Sequence, residues 1–407
     1  MTAPAAPEPF RVQVADAELV DLRRRLWDTR WPSRLEGVGW DYGVDDVYLR
    51  RLVGYWAEEF DWRAQEAALN AWPQMRCTVG GHAVHALHVP GRGPSPLPLI
   101  LSHGWPSSVV EWRNVLGPLT DPAAYGGDPA DSFTVVAPSL PGYGFSEIPV
   151  APGMTPRRIA AMWAELMSVL GYQRFAAHGC DWGSYVTALL GLDHPERVVA
   201  VHMGMVSLSA NPADRSAAAN AATADSAEEE VYRQRVRRWR EREQGYVAVQ
   251  STKPQTLAYG LTDSPAGLAA WIAEKWSAWT DCDGRLEDVI PRDVLLANIA
   301  VYWFTGTINS ASRLYKESRD NPVRLAPGQR VEVPSGFLLE TSPQARGQAP
   351  VSTAGAARIG APPRARAEAA FNVQRWTPVA RGGHFPALEI PEVFVAELRE
   401  FFRPLRG

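Results

Sequence analysis

Cysteine is scarce in this chain: Cys77, Cys180 and Cys282 are its three, far apart in 407 residues. Three dispersed thiols supply neither a disulfide framework nor a cysteine-based zinc site, and a reducing compartment is the default. Long apolar runs are missing too, and no stretch approaches the roughly 20 residues that span a membrane. Charge of one sign is also lacking. The net charge is −4, and the 41 basic residues are spread out except for a local run at Arg233–Arg242. That balance gives no electrostatic footing for nucleic acid. The opening MTAPAAPEPF has neither the basic nor the apolar region of a secretory signal. These absences set the expectation of a cytoplasmic protein with a short disordered leader.

What is present suits a globular protein, with 46% hydrophobic and 21% charged residues. The length allows one large core plus an inserted or appended module. Residues 10–75 are rich in tryptophan and arginine. Leu19, Leu22 and Leu26 keep helical spacing, and so do Leu49, Leu52, Val53 and Trp56. With no nucleophile motif among them, residues 1–75 read as a segment that wraps and braces the rest.

Sheet signals begin near Arg76. A hairpin is predicted around Gly80-Gly81, then strands over Leu97–Ser102, Phe133–Ala137, Arg174–His178 and Val198–Met203, with a helix over Pro156–Leu170. Strands alternating with helices indicate parallel βαβ units, so residues 76–205 form the first part of an α/β core. Over 206–320 the pattern turns helical. Glu228–Gln244 is highly charged and reads as a solvated helix face, whereas Gly267–Trp279 and Val294–Tyr302 are amphipathic. Strand character returns at Arg330–Leu339 and Asn372–Val379, so 321–407 completes the core, ending in a helix over Pro391–Phe402. Residues 341–367 contain no Asp or Glu and have a loop-like composition.

The most informative stretch is Gly179-Cys180-Asp181-Trp182-Gly183. It fits the strand–turn–helix elbow that presents a nucleophile above a parallel sheet, with Asp181 where serine usually sits. The first turn of the following helix favours its ionised form. A carboxylate there suits displacement at a saturated carbon and leaves an alkyl ester on the enzyme. Epoxides and alkyl halides are electrophiles of that kind. His384, between the last strand and the last helix, falls where the general base belongs in the order nucleophile, acid, histidine. His103-Gly104-Trp105-Pro106 follows a strand and occupies the oxyanion loop. The backbone N–H groups of Trp105 and Trp182 are the expected oxyanion pair, with His103 structural.

Pro141–Ser146 lacks the third glycine and the lysine of phosphate loops, and reads as a tight turn lining the pocket. His82, His85 and His88 lie on a predicted strand, whose alternation turns His85 away from the other two. No metal and no cofactor is expected.

Taken together, the chain resembles the microsomal-type epoxide hydrolases over nearly its full length. The resemblance rests on the HGWP loop, the aspartate elbow, the stretch from Gly245-Tyr246 to Asp281, YWFTGTINSASRLYKE (Tyr302–Glu317) and the ending GGHFPALEIPE. It implies an α/β-hydrolase fold, with a mostly parallel sheet, helices on both faces, a helical cap inserted after the strand following the nucleophile, and an N-terminal wrapping segment. It also implies two cap tyrosines, Tyr246 and Tyr315, that hydrogen-bond the epoxide oxygen. The partners implied are a small-molecule epoxide and water, with no nucleic acid and no membrane; a homodimer is left open. The substrate expected from relatives in detoxification and bacterial natural-product pathways is a bulky or aromatic epoxide, converted to a vicinal diol.

Two positions depart from the family pattern. Cys180 stands before the nucleophile where many relatives have glycine. The acid that orients the histidine usually follows the strand that here ends at Leu339, where this chain reads Glu340-Thr341-Ser342-Pro343. An ungapped match puts Pro343 at the acid position. Glu340 is the favoured orienter of His384, and Glu368 and Asp214 are more distant candidates. A haloalkane dehalogenase using the same aspartate, and a non-catalytic ligand-binding protein on a hydrolase scaffold, are the alternative readings.

Overall fold

The computed structural model describes residues 6–210, 227–341 and 359–406. Its centre is a nine-stranded sheet, ordered β1-β2-β3-β5-β4-β6-β7-β8-β9. The strands are β1 (Glu8–Pro9), β2 (Gln74–Val79), β3 (His82–Val89), β4 (Leu97–Ser102), β5 (Phe133–Pro138), β6 (Phe175–Gly179), β7 (Val198–Met203), β8 (Val331–Glu340) and β9 (Phe371–Val379). The first three pair antiparallel, and β3 joins β5 antiparallel; every pairing from β5 through β4 to β9 is parallel. The central strands are apolar on both faces because helices cover both. All six residues of β5 and all five of β6 are buried.

Predicted strands and helices agree with those observed to within a few residues. The hairpin extends back to Gln74, and β6 runs one residue further, to Gly179. The two-residue strand β1 was not anticipated. It pairs Glu8 with Arg76, so the N-terminal segment adds an edge to the sheet. Two residues carry too little periodicity to be seen in a sequence.

The N-terminal helices bury the residues whose spacing announced them, namely Leu22 and Leu26 in Asp16–Trp27, and Leu49, Leu52, Val53 and Trp56 in Asp46–Glu58. Asp45 caps the second of these by accepting the Tyr48 N–H at 2.7 Å. These helices also bind the helices inserted between β7 and β8. The Tyr55 hydroxyl donates to Asp293 at 2.8 Å, and Arg25 pairs with Asp263 at 3.0 Å. The insertion includes the helices Ala227–Glu243, Gly245–Thr252, Pro265–Trp279, Arg292–Thr305 and Ile308–Asp320. Among the described residues, no helix is long and apolar enough to cross a membrane.

The parallel strands converge on one edge at their carboxyl ends. β4 leads to Trp105, β6 to Asp181, β8 to Glu340 and β9 to the His384 loop. A crevice at that edge, where strand order reverses, is the usual place for a ligand in an open α/β sheet.

Candidate active site

β6 gives way to the helix Trp182–Asp193 within three residues. That reversal holds Asp181 at φ 51° and ψ −122°, a conformation costing on the order of 1–3 kcal/mol. Asp tolerates positive φ better than most residues. The flanking glycines have a steric cause. A Cβ on Gly179 would sit 2.1 Å from the Gly183 carbonyl oxygen, and one on Gly183 would sit 1.8 Å from that of Ser102. The His103–Pro106 loop is equally tight, since a Cβ on Gly104 would meet the Asp181 side chain at 2.3 Å.

The Asp181 carboxylate accepts the Trp105 N–H at 2.8 Å. Burial pushes its pKa up to about 6, against the Trp105 and Trp182 N–H groups, which hold it down. It is therefore still ionised at neutral pH and only partly solvated. His384 faces it, with Nε2 3.7 Å from Oδ2. Burial lowers the His384 pKa to about 4, so the imidazole is neutral and free to take a proton.

Tyr246 in Gly245–Thr252 and Tyr315 in Ile308–Asp320 reach the same cavity as Asp181. The Trp105 ring stacks on Tyr246, with centroids 5.1 Å apart and an interplanar angle of 8°. Tyr315 stands edge-on to Trp105 at 5.7 Å and to Trp182 at 4.8 Å. The Tyr315 hydroxyl is buried with no hydrogen-bond partner among the described residues. Burial, followed by the charge of Asp181, raises the Tyr246 pKa well above its ordinary value; burial, followed by Tyr246, does the same for Tyr315. Both remain protonated donors. The cavity measures about 430 Å³ and is also lined by Tyr185, Met205, Tyr232, Val236, Trp239, Val247, Trp279 and Leu339.

Tyr232, Val236 and Trp239 lie on the highly charged helix Ala227–Glu243, none of whose residues is fully buried. Its solvated reading therefore holds for one face only. The missed signal was the i, i+4, i+7 spacing of three apolar residues among the charges. The Pro141–Ser146 turn contributes nothing to this cavity among the described residues. Pro141 instead lines a separate one of about 220 Å³ with Pro149, Met154 and Arg313. The buried Tyr143 hydroxyl donates to the Ala311 carbonyl at 3.0 Å, tying the turn to the helix that carries Tyr315.

His103 is structural, accepting the Leu140 N–H at Nε2 and contacting the Gly104 carbonyl through Nδ1. His85 is buried between Ser139 and Gln74, at 2.9 and 2.8 Å. Cys180 is buried, its Sγ 3.5 Å from His178 Nε2. Glu340 ends β8 and lines the cavity, and its carbonyl accepts the Ala361 N–H at 2.9 Å. Among the described residues, no hydrogen bond or ion pair joins Glu340 to His384. Glu368 spends its carboxylate on Arg364 at 2.7 Å. Asp214, Pro343 and most of the carboxylate-free stretch lie outside the described residues.

Comparison with known proteins places the chain in a family. The family model "Epoxide hydrolase N terminus" matches residues 7–112, and "alpha/beta hydrolase fold" matches residues 98–284. The chain is 38% identical to a protein of Stigmatella aurantiaca over 98% of this chain and 85% of that one. It is 34% identical to epoxide hydrolase 1 of Sus scrofa, over 98% of this chain and 90% of the relative. The solved structure of Aspergillus niger epoxide hydrolase superposes with a TM-score of 0.81 at 28% identity, covering 98% of this chain and 97% of that one. The chain belongs to the epoxide hydrolase family and is an enzyme of that class on an α/β-hydrolase fold.

Proposed function

We propose that this enzyme opens an epoxide through a covalent ester on Asp181 and releases a vicinal diol. The observation that carries the reading is the half-buried Asp181 carboxylate, 2.8 Å from the Trp105 N–H and 3.7 Å from His384, sharing one cavity with two protonated phenols. Asp181 attacks an epoxide carbon from behind, and the carbon–oxygen bond breaks. Tyr246 and Tyr315 hold the departing oxygen, and one of them gives it a proton. His384 takes a proton from water, and the hydroxide attacks the ester carbonyl. The tetrahedral oxyanion forms beside the N–H groups of Trp105 and Trp182. On collapse the leaving alkoxide takes the proton of the new Asp181 carboxyl group, which frees the diol and restores the carboxylate, and the imidazolium returns its proton to the tyrosinate.

On this reading residues 206–320 are a cap over the core formed by 76–205 and 321–407, and 1–75 brace both. The aromatic walls and the volume of the cavity support a bulky or aromatic epoxide. Family membership favours this reading over a haloalkane dehalogenase and over a non-catalytic scaffold.

A single turnover with styrene oxide in ¹⁸O-labelled water, enzyme in excess, tests the ester. Unlabelled diol with label in the Asp181 peptide is the expected result. Labelled diol with unlabelled protein would mean direct attack by water and would end the proposal. In the same assay Tyr246→Phe and Tyr315→Phe should each slow adduct formation by roughly 10- to 100-fold, and the double change by up to about 10⁴-fold. Ester hydrolysis should be spared, because the phenols act on the first leaving oxygen.

A further inference from the structure

No carboxylate among the described residues touches the His384 imidazole except Asp181 itself, yet the loop that carries it is held by two others. Glu389, in the short helix Pro386–Glu389, accepts three backbone N–H groups. Asp281 and Gly383 donate to its Oε2, each at 2.8 Å, and Phe385 donates to its Oε1 at 2.8 Å. The Gly382 N–H donates to Asp281 Oδ2 at 3.0 Å, and that of His384 to the Trp279 carbonyl at 3.0 Å. Four consecutive N–H groups, 382 to 385, are thus engaged, three of them by carboxylates.

The clamp also joins two distant parts of the chain. Trp279 ends the helix Pro265–Trp279 of the insertion and Asp281 follows two residues later, whereas Glu389 belongs to the second part of the core. The approach is so close that a Cβ on Gly383 would lie 2.2 Å from the Trp279 carbonyl oxygen. The His384 ring sits between Trp279 and Phe385, each with its centroid 4.9 Å away.

We propose that Glu389 is a positioning residue, fixing the imidazole through the loop backbone and tying it to the end of the insertion that carries Trp279. The proposal rests on the reading of His384 as the base. Charge-assisted bonds from backbone N–H groups are short and strong, and three on one carboxylate leave the loop little freedom. A carboxamide has the same shape but turns one acceptor into a donor facing an N–H. A displacement of about 1 Å costs on the order of 10²-fold in rate.

The test is single-turnover kinetics of wild type, Glu389→Gln and Asp281→Asn with styrene oxide, following formation and decay of the adduct by mass. Glu389→Gln should form adduct within about twofold of the wild-type rate and hydrolyse it roughly 10- to 100-fold more slowly. Asp281→Asn, which loosens the Gly382 N–H and weakens the pairing with Arg381 while leaving the three bonds to Glu389 in place, should slow decay by a smaller factor, again without touching formation. Decay at the wild-type rate in Glu389→Gln, or equal loss in both steps, would overturn the proposal. Should Glu389→Gln fail to fold, Glu389→Asp, which keeps the charge but shortens its reach to the three N–H groups, decides by the same two outcomes. A wild type that makes diol without adduct would bring down the ester reading, and this inference with it; unaltered decay in the variants would bring down the inference alone.

Discussion

Asp181→Asn is expected to form no adduct and to lower diol formation by at least about 10⁴-fold, the scale seen when a nucleophile is removed. The elbow should survive the change. Asn is among the residues that tolerate positive φ, and its amide can still accept the Trp105 N–H. The variant should even be more stable at neutral pH. The folded-state pKa of Asp181 is raised, to about 6 from 3.8, so stability present at low pH is lost as pH rises from near 4 through 6. Removing the charge removes that cost, on the order of a few kcal/mol. A higher melting temperature together with abolished adduct would separate chemistry from folding. Persistent adduct in this variant would place the nucleophile elsewhere.

The same shift gives a pH dependence. Adduct formation needs ionised Asp181, so it should be half-maximal near pH 6 and fall about tenfold per unit below that. Decay of the ester needs neutral His384, whose pKa is lowered to about 4, so it should hold its rate to lower pH than formation does. Adduct prepared at pH 7 and transferred to pH 5 before quenching measures the second step by itself.

His384→Gln carries the other large effect. Adduct should form at close to the wild-type rate, because Asp181, the tyrosines and the Trp105 N–H are untouched. Its hydrolysis should slow by roughly 10²- to 10⁴-fold, the range ascribed to a general base. Intact-protein mass after one turnover would then show nearly stoichiometric ester. Slow alkylation with normal ester decay would contradict the role given to His384.

Much of this was readable in the chain. The five residues around Asp181 announce the elbow because each obeys a local rule: two glycines where no Cβ fits, an aspartate that accepts positive φ, and a helix that starts at once. β4 and β7 were predicted to the residue, since buried parallel strands are short apolar runs with sharp ends. Tyr246 and Tyr315 came from motif resemblance; neither stands out among 12 tyrosines by spacing alone.

Other features depended on distance in three dimensions. Glu340 sits at the right strand end and lines the cavity, but orienting an imidazole needs a carboxylate within about 3 Å of a ring nitrogen, and sequence order does not fix that. Glu389 carries no signal of its own in the sequence, because its contacts depend on three N–H groups from two separate segments meeting on one carboxylate. The charged helix Ala227–Glu243 read as surface because its composition is mostly solvated, and only packing revealed the apolar edge it turns to the cavity.

By itself the chain determined what is local: the elbow, the strand limits, the order of Asp181 and His384, and the apolar stripes of the helices. These follow from sterics and periodicity over a few residues. The tertiary structure decided which side chains meet. It set the 3.7 Å between His384 and Asp181, the burial that raises one pKa and lowers the other, and the carboxylates that hold the histidine loop. Desolvation and hydrogen-bond geometry depend on neighbours brought together from distant parts of the chain, so they exist only once the fold has closed.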